Sequence, residues 1–263
     1  MSKKKTKTIT TISQISGAAI GSSIGTLTAG PLGGLAGGVI GEVISTLLTD
    51  TFTDFLEKKL SKKEISRTKT VFTYAEEKFK RNIDEGKSIR KDIGSKFLEE
   101  TLEETLLMAK ITTDERKLIY LGNLYANILF EPKLQSDEIY YLLKVAKNLL
   151  FKELCFIALF AQRELYPLRE GNYRDYTGFP LKREFLLTLE EVKQLEDKHL
   201  VDCEGVAVIG ITDLKPSQIK LTSTGNILYR LMELDKIDRT ELEVIQKILN
   251  YSKTDAQADL KKL

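Results

Sequence analysis

Residues 8–41 read TITTISQISGAAIGSSIGTLTAGPLGGLAGGVIG, which is 34 positions without a charged side chain. Nine of the chain's 17 glycines fall between Gly17 and Gly41. Gly17, Gly21 and Gly25 recur every fourth residue. After Gly30 and Pro31 the spacing returns at Gly33, Gly37 and Gly41, with Gly34 and Gly38 as a second register. A four-residue period puts these glycines in one stripe of a helix, the small-xxx-small pattern by which helices approach closely in lipid. In water each glycine inside a helix costs about 1 kcal/mol relative to alanine. A helical state here therefore depends on packing against lipid, a partner or another part of the chain. The stretch reads as a helical hairpin over residues 11–29 and 32–48, with Pro31 tolerated at the first turn of the second arm. Each arm is about 25–27 Å long at 1.5 Å per residue, just short of the roughly 30 Å hydrocarbon core of a bilayer. Ile20 and Ile24 flank the first glycine stripe.

Four lysines precede this stretch: Lys3, Lys4, Lys5 and Lys7. A polybasic segment gains about 1 kcal/mol per Lys at an anionic leaflet, and apolar insertion adds a second signal. The two together predict engagement of anionic membrane lipid. The opposing reading is a solubilising arm before a hairpin buried against the rest of the chain. A secretory leader fits poorly, because the apolar stretch is Gly, Ser and Thr rather than leucine-like. A standard spanning helix fits poorly too, because Pro31 breaks a run that is only weakly apolar.

Outward from the hairpin the composition becomes that of a globular protein, 42% hydrophobic and 30% charged over 263 residues. The net charge is +2. With the four N-terminal lysines set aside the remainder is slightly acidic, which argues against broad nucleic-acid binding. Helical periodicity with capping boxes predicts a bundle over residues 50–166. Ser61 with Glu64 opens one helix, Ser88 caps the next, and Thr112 with Glu115 opens a third. A long helix is expected over residues 136–166, with any bend near Leu150. Residues 150–235, sharing that helix, then run helix, helix, hairpin, helix, the order of a winged-helix module. Residues 236–263 hold a final helix opened by Asp238 and Glu241, then a polar tail expected to fray. The predicted class is thus mainly α. It comprises a basic arm and glycine-zipper hairpin over residues 1–49, a helical bundle, and a winged-helix-like α+β module.

Catalytic and metal signatures are weak. There is no G-x-x-x-x-G-K-[ST] phosphate loop, and the glycines lack the strand and spacing of a dinucleotide site. His199 is the single histidine and has no ligand partner at metal spacing. Glu99, Glu100, Glu103 and Glu104 read as a solvated face. Cys155 and Cys203 read as packed thiols of a reducing compartment. The helix beginning at Thr188 is net acidic, against the rule for a groove-reading helix. Tyr173, Tyr176 and Phe179 lie beside Arg169 and Arg174. They either bind a partner or single-stranded nucleic acid, or fold over their own domain. No catalytic residue, metal or cofactor is predicted.

Residues 124–129 (LYANIL) and residues 219–225 (IKLTSTG), with a glycine-rich stretch ahead of a helical body, resemble the bacterial abortive-infection alpha family over about residues 60–235. The resemblance implies a prokaryotic antiphage protein defined by no catalytic signature, and assigns no functional residue. The expected function is a non-enzymatic effector, cytoplasmic and conditionally at the inner face of the cell membrane. It would insert its hairpin, assemble with sister chains through Gly17, Gly21, Gly25, Gly33, Gly37 and Gly41, and meet a protein sensor partner. The alternatives are a winged-helix DNA-binding regulator and a soluble oligomerising adaptor.

Overall fold

The computed structural model describes residues 38–90, 92, 94–176, 181–203 and 210–260. Among these the chain is mainly helical, with ten α-helices and one two-stranded antiparallel sheet. It divides into two units, Met1–Asn148 and Leu149–Leu263.

The first unit holds α1 (Gly38–Glu57), α2 (Lys62–Asp84), α3 (Ser95–Ile111), α4 (Leu118–Ile128) and α5 (Ser136–Asn148). The Ser61–Glu64 capping box forms as its spacing predicts. Ser61 N–H donates to the Glu64 carboxylate at 2.7 Å, and Glu64 N–H to the Ser61 hydroxyl at 3.3 Å. α2 ends before Gly86, which takes φ +76°, the left-handed conformation glycine adopts at little cost after a helix. Val71, Phe72 and Ala75 of α2 meet a core supplied by Leu102 and Leu106 of α3 and by Leu121, Leu124 and Ile128 of α4, all buried. At Gly122 the helices α2 and α4 approach closely. A Cβ there would stand 2.7 Å from Tyr74 Cβ, 2.9 Å from Ala75 N and 2.9 Å from Val71 O.

Two helix starts differ from expectation. α3 opens at Ser95 behind Gly94 rather than at Ser88. The Arg90 N–H is held by the Leu129 carbonyl at 3.0 Å, and its guanidinium grips Asp92, which keeps this segment out of a helix. Thr112 closes α3 instead of opening the next helix. Its hydroxyl donates back to Met108 O at 2.8 Å, and Asp114 takes the capping role by accepting from Arg116 N.

The second unit begins where one long helix was expected. α5 stops at Asn148 and α6 (Phe151–Ala161) starts afresh, so the boundary between the units falls at the break and no helix is shared. Leu150 is extended (φ −79°, ψ 159°), and its N–H donates to Glu153 Oε2 at 2.6 Å. The Glu153 carboxylate, 3% exposed, also accepts from Lys198. α6 is apolar on every side and lies in the core of its unit, with Leu154, Cys155, Phe156, Ile157, Ala158 and Leu159 at 1% exposure or less. Around it come α7 (Arg183–Asp197), strands β1 (Val201–Cys203) and β2 (Ile219–Leu221), α8 (Ser223–Met232), α9 (Arg239–Leu249) and α10 (Lys253–Leu260). The strands pair Val201 with Leu221, Asp202 with Lys220 and Cys203 with Ile219. α10 replaces the expected frayed tail. Ser252 and Asp255 cap it reciprocally, and Ala256 is fully buried.

Gly122→Ala tests the α2–α4 contact. Helix propensity favours alanine by about 1 kcal/mol, while overpacking against backbone costs about 1–3 kcal/mol. Urea unfolding is expected to show a net loss of up to about 2 kcal/mol. A stabilised variant would mean that the two helices separate freely at this point.

Candidate functional site

Lys3, Lys4, Lys5, Lys7, Gly17, Ile20, Gly21, Ile24, Gly25, Gly33 and Gly37 lie outside the described residues. Gly41 alone of the predicted site falls within them, in the first turns of α1. What the structure does define is how α1, the continuation of the glycine-rich stretch, is rooted in the first unit. Phe52 and Phe55 are 1% and 2% exposed. The Phe52 ring stacks on Phe72 of α2 at 4.3 Å and 17°. Lys58 stands over the Phe55 ring at 4.9 Å and closes an ion pair with Glu103 of α3. Thr51 returns its hydroxyl to Leu47 O at 2.8 Å, which removes a polar group from the root without breaking the helix. The signal for this root, two phenylalanines three apart among Thr and Asp, is present in the sequence but was masked by its polar neighbours.

Three of the four acidic residues of α3 go to separate partners rather than to one centre, and Glu99 is exposed. Glu100 accepts from the Tyr140 hydroxyl at 2.6 Å, Glu103 pairs with Lys58, and Glu104 pairs with Lys147 at 3.0 Å. Burial, then the Glu100 carboxylate, pushes the Tyr140 hydroxyl up to about 12. Among the described residues no group of three or more His, Cys, Asp or Glu is placed to hold a metal ion. Cys155 and Cys203 are free and buried. Burial pushes the Cys203 thiol up to about 12, with Glu196 and Asp202 adding to it. A thiol so displaced is a poor nucleophile near neutral pH.

The arginine–aromatic loop folds over its own unit. Tyr173 and Tyr176 are 0% and 2% exposed. Arg169 donates to the Tyr176 hydroxyl at 2.6 Å and to the carbonyls of Tyr251, Asn172 and Gly171 at 2.8, 3.0 and 2.9 Å. Its guanidinium sits over the Tyr173 ring at 4.5 Å. The Tyr173 hydroxyl donates to Leu249 O, so the loop satisfies carbonyls at the end of α9. Arg174 pairs with Asp213 at 2.6 Å. These side chains stack on and bond to protein, and offer no open platform for bases. Phe179 lies outside the described residues.

His199 is exposed at φ +55°, following α7. Its carbonyl accepts from the Thr222 hydroxyl at 2.7 Å, and the Leu200 carbonyl accepts from Thr222 N at 3.1 Å. Thr222 also caps α8 by accepting from Gly225 N at 3.2 Å. A Cβ on Gly225 would stand 2.1 Å from Leu200 O. The Thr and Gly of residues 219–225 are thus explained by one joint: the hydroxyl caps a helix, and the missing side chain admits the backbone of Leu200. Residues 124–129 are packing residues likewise, with Leu124, Tyr125, Ala126, Ile128 and Leu129 buried and Asn127 accepting from Asn82 at 2.9 Å.

Comparison with protein-family models, with curated proteins and with solved structures finds no match to this chain.

The joint yields a pair of opposed expectations. His199→Gly relieves a left-handed backbone and is expected to stabilise the protein by about 1 kcal/mol. Gly225→Ala is expected to destabilise it by about 2–3 kcal/mol through overpacking. Chemical denaturation reads both. A neutral Gly225→Ala would show that Leu200 yields and that the joint is loose.

Proposed function

We propose that this chain is a non-enzymatic effector that engages anionic membrane and perturbs it through its glycine-rich N-terminal segment. The observation that carries the reading is the uncharged glycine-repeat run of residues 8–41, preceded by four lysines and continuous in sequence with α1, which Phe52 and Phe55 root in a folded body. An apolar segment alone would be a peptide; one rooted in a helical unit can be held or delivered by that unit. On insertion the stripes Gly17, Gly21, Gly25 and Gly33, Gly37, Gly41 would pack helix on helix, where lipid offers no hydrophobic drive and close backbone approach supplies the attraction. The body serves this segment as anchor: among the described residues no helix is long and apolar enough to cross a membrane.

The antiphage role comes from the resemblance to the abortive-infection alpha family alone. The helix–helix–hairpin–helix order of α6, α7, β1, β2 and α8 is read as a winged-helix-like module for protein contact. Its charges support that choice over DNA. Lys193 of α7 is closed by Glu196 at 3.0 Å and Asp197 at 2.6 Å, Lys152 by Glu191 at 2.6 Å, and Lys198 by Glu153. Phosphate contacts dominate nucleic-acid affinity, and these cations are already engaged.

The test is the double substitution Gly21→Leu and Gly37→Leu, which fills both stripes. Dye release from anionic vesicles, and toxicity on expression, are expected to be lost while the far-UV spectrum and melting temperature hold. Full activity in the double variant would end the zipper mechanism.

A further inference from the structure

We infer that the turn between α1 and α2 and the exposed face of α2 form a second, folded lipid-docking surface, built from Lys59, Lys62, Lys63 and Lys69 and fitted to an anionic bilayer surface. This deepens the membrane reading above and rests on it for its biological setting, but it comes from a different part of the molecule.

The first unit pairs many of its cations. Lys58 goes to Glu103, Arg67 to Glu115, Lys87 to Glu85, Arg90 to Asp92, Lys96 to Glu100 and Lys147 to Glu104. Among the described residues Lys59, Lys62, Lys63 and Lys69 enter no ion pair or side-chain hydrogen bond, and the first three are exposed. Residues 58–75 (KKLSKKEISRTKTVFTYA) contain one acid, Glu64. It is partly exposed and engaged locally, accepting from Ser61 N and lying 3.9 Å from Lys110. Glu57 of α1 and Glu77 of α2, both exposed, flank the four lysines at either end, Glu77 standing one turn beyond Thr73 on the same face. Lys62 and Lys69 are seven residues apart and so share a face, about 10 Å apart along the axis. Exposed Ser66 and Thr73 lie on that face too.

Four unpaired ammonium groups with no free carboxylate among them suit a sheet of headgroup phosphates and carboxylates. Nucleic acid fits less well: the exposed positions of this face carry no aromatic for base stacking, and the near-neutral chain supplies no broad positive field.

The experiment is vesicle flotation of the full chain carrying K3Q, K4Q, K5Q and K7Q, so that the N-terminal lysines do not contribute. Vesicles are phosphatidylcholine alone or mixed with phosphatidylserine, and a duplex DNA probe runs in parallel. Each lysine at such a surface accounts for about fivefold in affinity. Adding K59Q, K62Q, K63Q and K69Q is expected to weaken binding to the anionic vesicles by about 600-fold, with unchanged melting. K133Q with K144Q, exposed cations elsewhere on the unit, is expected to change nothing. Undiminished binding by the α2 variant, equal binding to neutral vesicles, or no vesicle binding by the parent chain would overturn the inference. Lysine-dependent binding to DNA in place of vesicles would overturn it in favour of a nucleic-acid surface. Vesicle binding without dye release would sink the insertion reading and leave the docking surface standing. Release that ignores the four α2 lysines would do the reverse.

Discussion

The burial of two phenylalanines, Phe52 and Phe55, is the constraint on which the first unit's relation to its glycine-rich neighbour depends. Replacing a buried phenylalanine by alanine costs about 3–5 kcal/mol in a typical core, a large share of the 5–15 kcal/mol that separates a domain from its unfolded state. The Phe52–Phe72 stack and the cover of Phe55 by Lys58 fix one end of α1. Through that root, a segment whose glycines disfavour an isolated helix in water is joined to a folded body.

Elsewhere the body is held by close backbone approaches and by short polar closures. Gly122 lets α4 lie against α2, and Gly225 lets α8 lie against Leu200. The ion pairs of the surface add little individually, since exposed pairs are worth about 0–1 kcal/mol. Glu153 differs because it is 3% exposed and accepts from both Leu150 N and Lys198. Removing one partner of such a buried group leaves the other uncompensated, at a cost of several kcal/mol.

The helical class and the capping box at Ser61 and Glu64 were legible because each rests on a local pattern, a period or a cap. The misread points share a different physics. The break at Leu150 has no Ser or Thr at the cap; Glu153 opens α6 by reaching back to a leucine N–H, with burial and Lys198 fixing its carboxylate. Ser88 looks like a cap, yet a long-range bond from Arg90 N to Leu129 O holds the neighbouring chain out of a helix. Thr112 looks like a cap as well, but its hydroxyl is spent on Met108 O. The arginine–tyrosine loop could be read either way in sequence, because its fate depends on carbonyls of residues 249 and 251 far along the chain. Of the predicted site only Gly41 falls in the described residues, and the root at Phe52 and Phe55 was hidden by the Thr and Asp around it.

The central claim is that the glycine-rich segment acts on membrane while the body anchors it. Dye release from phosphatidylserine-containing vesicles measures this most directly, comparing the full chain with one that begins at Gly38 and so keeps every described element. The account predicts release by the full chain and none by the shortened one, with both cooperatively folded. Equal release by the two, or none by either, would contradict it.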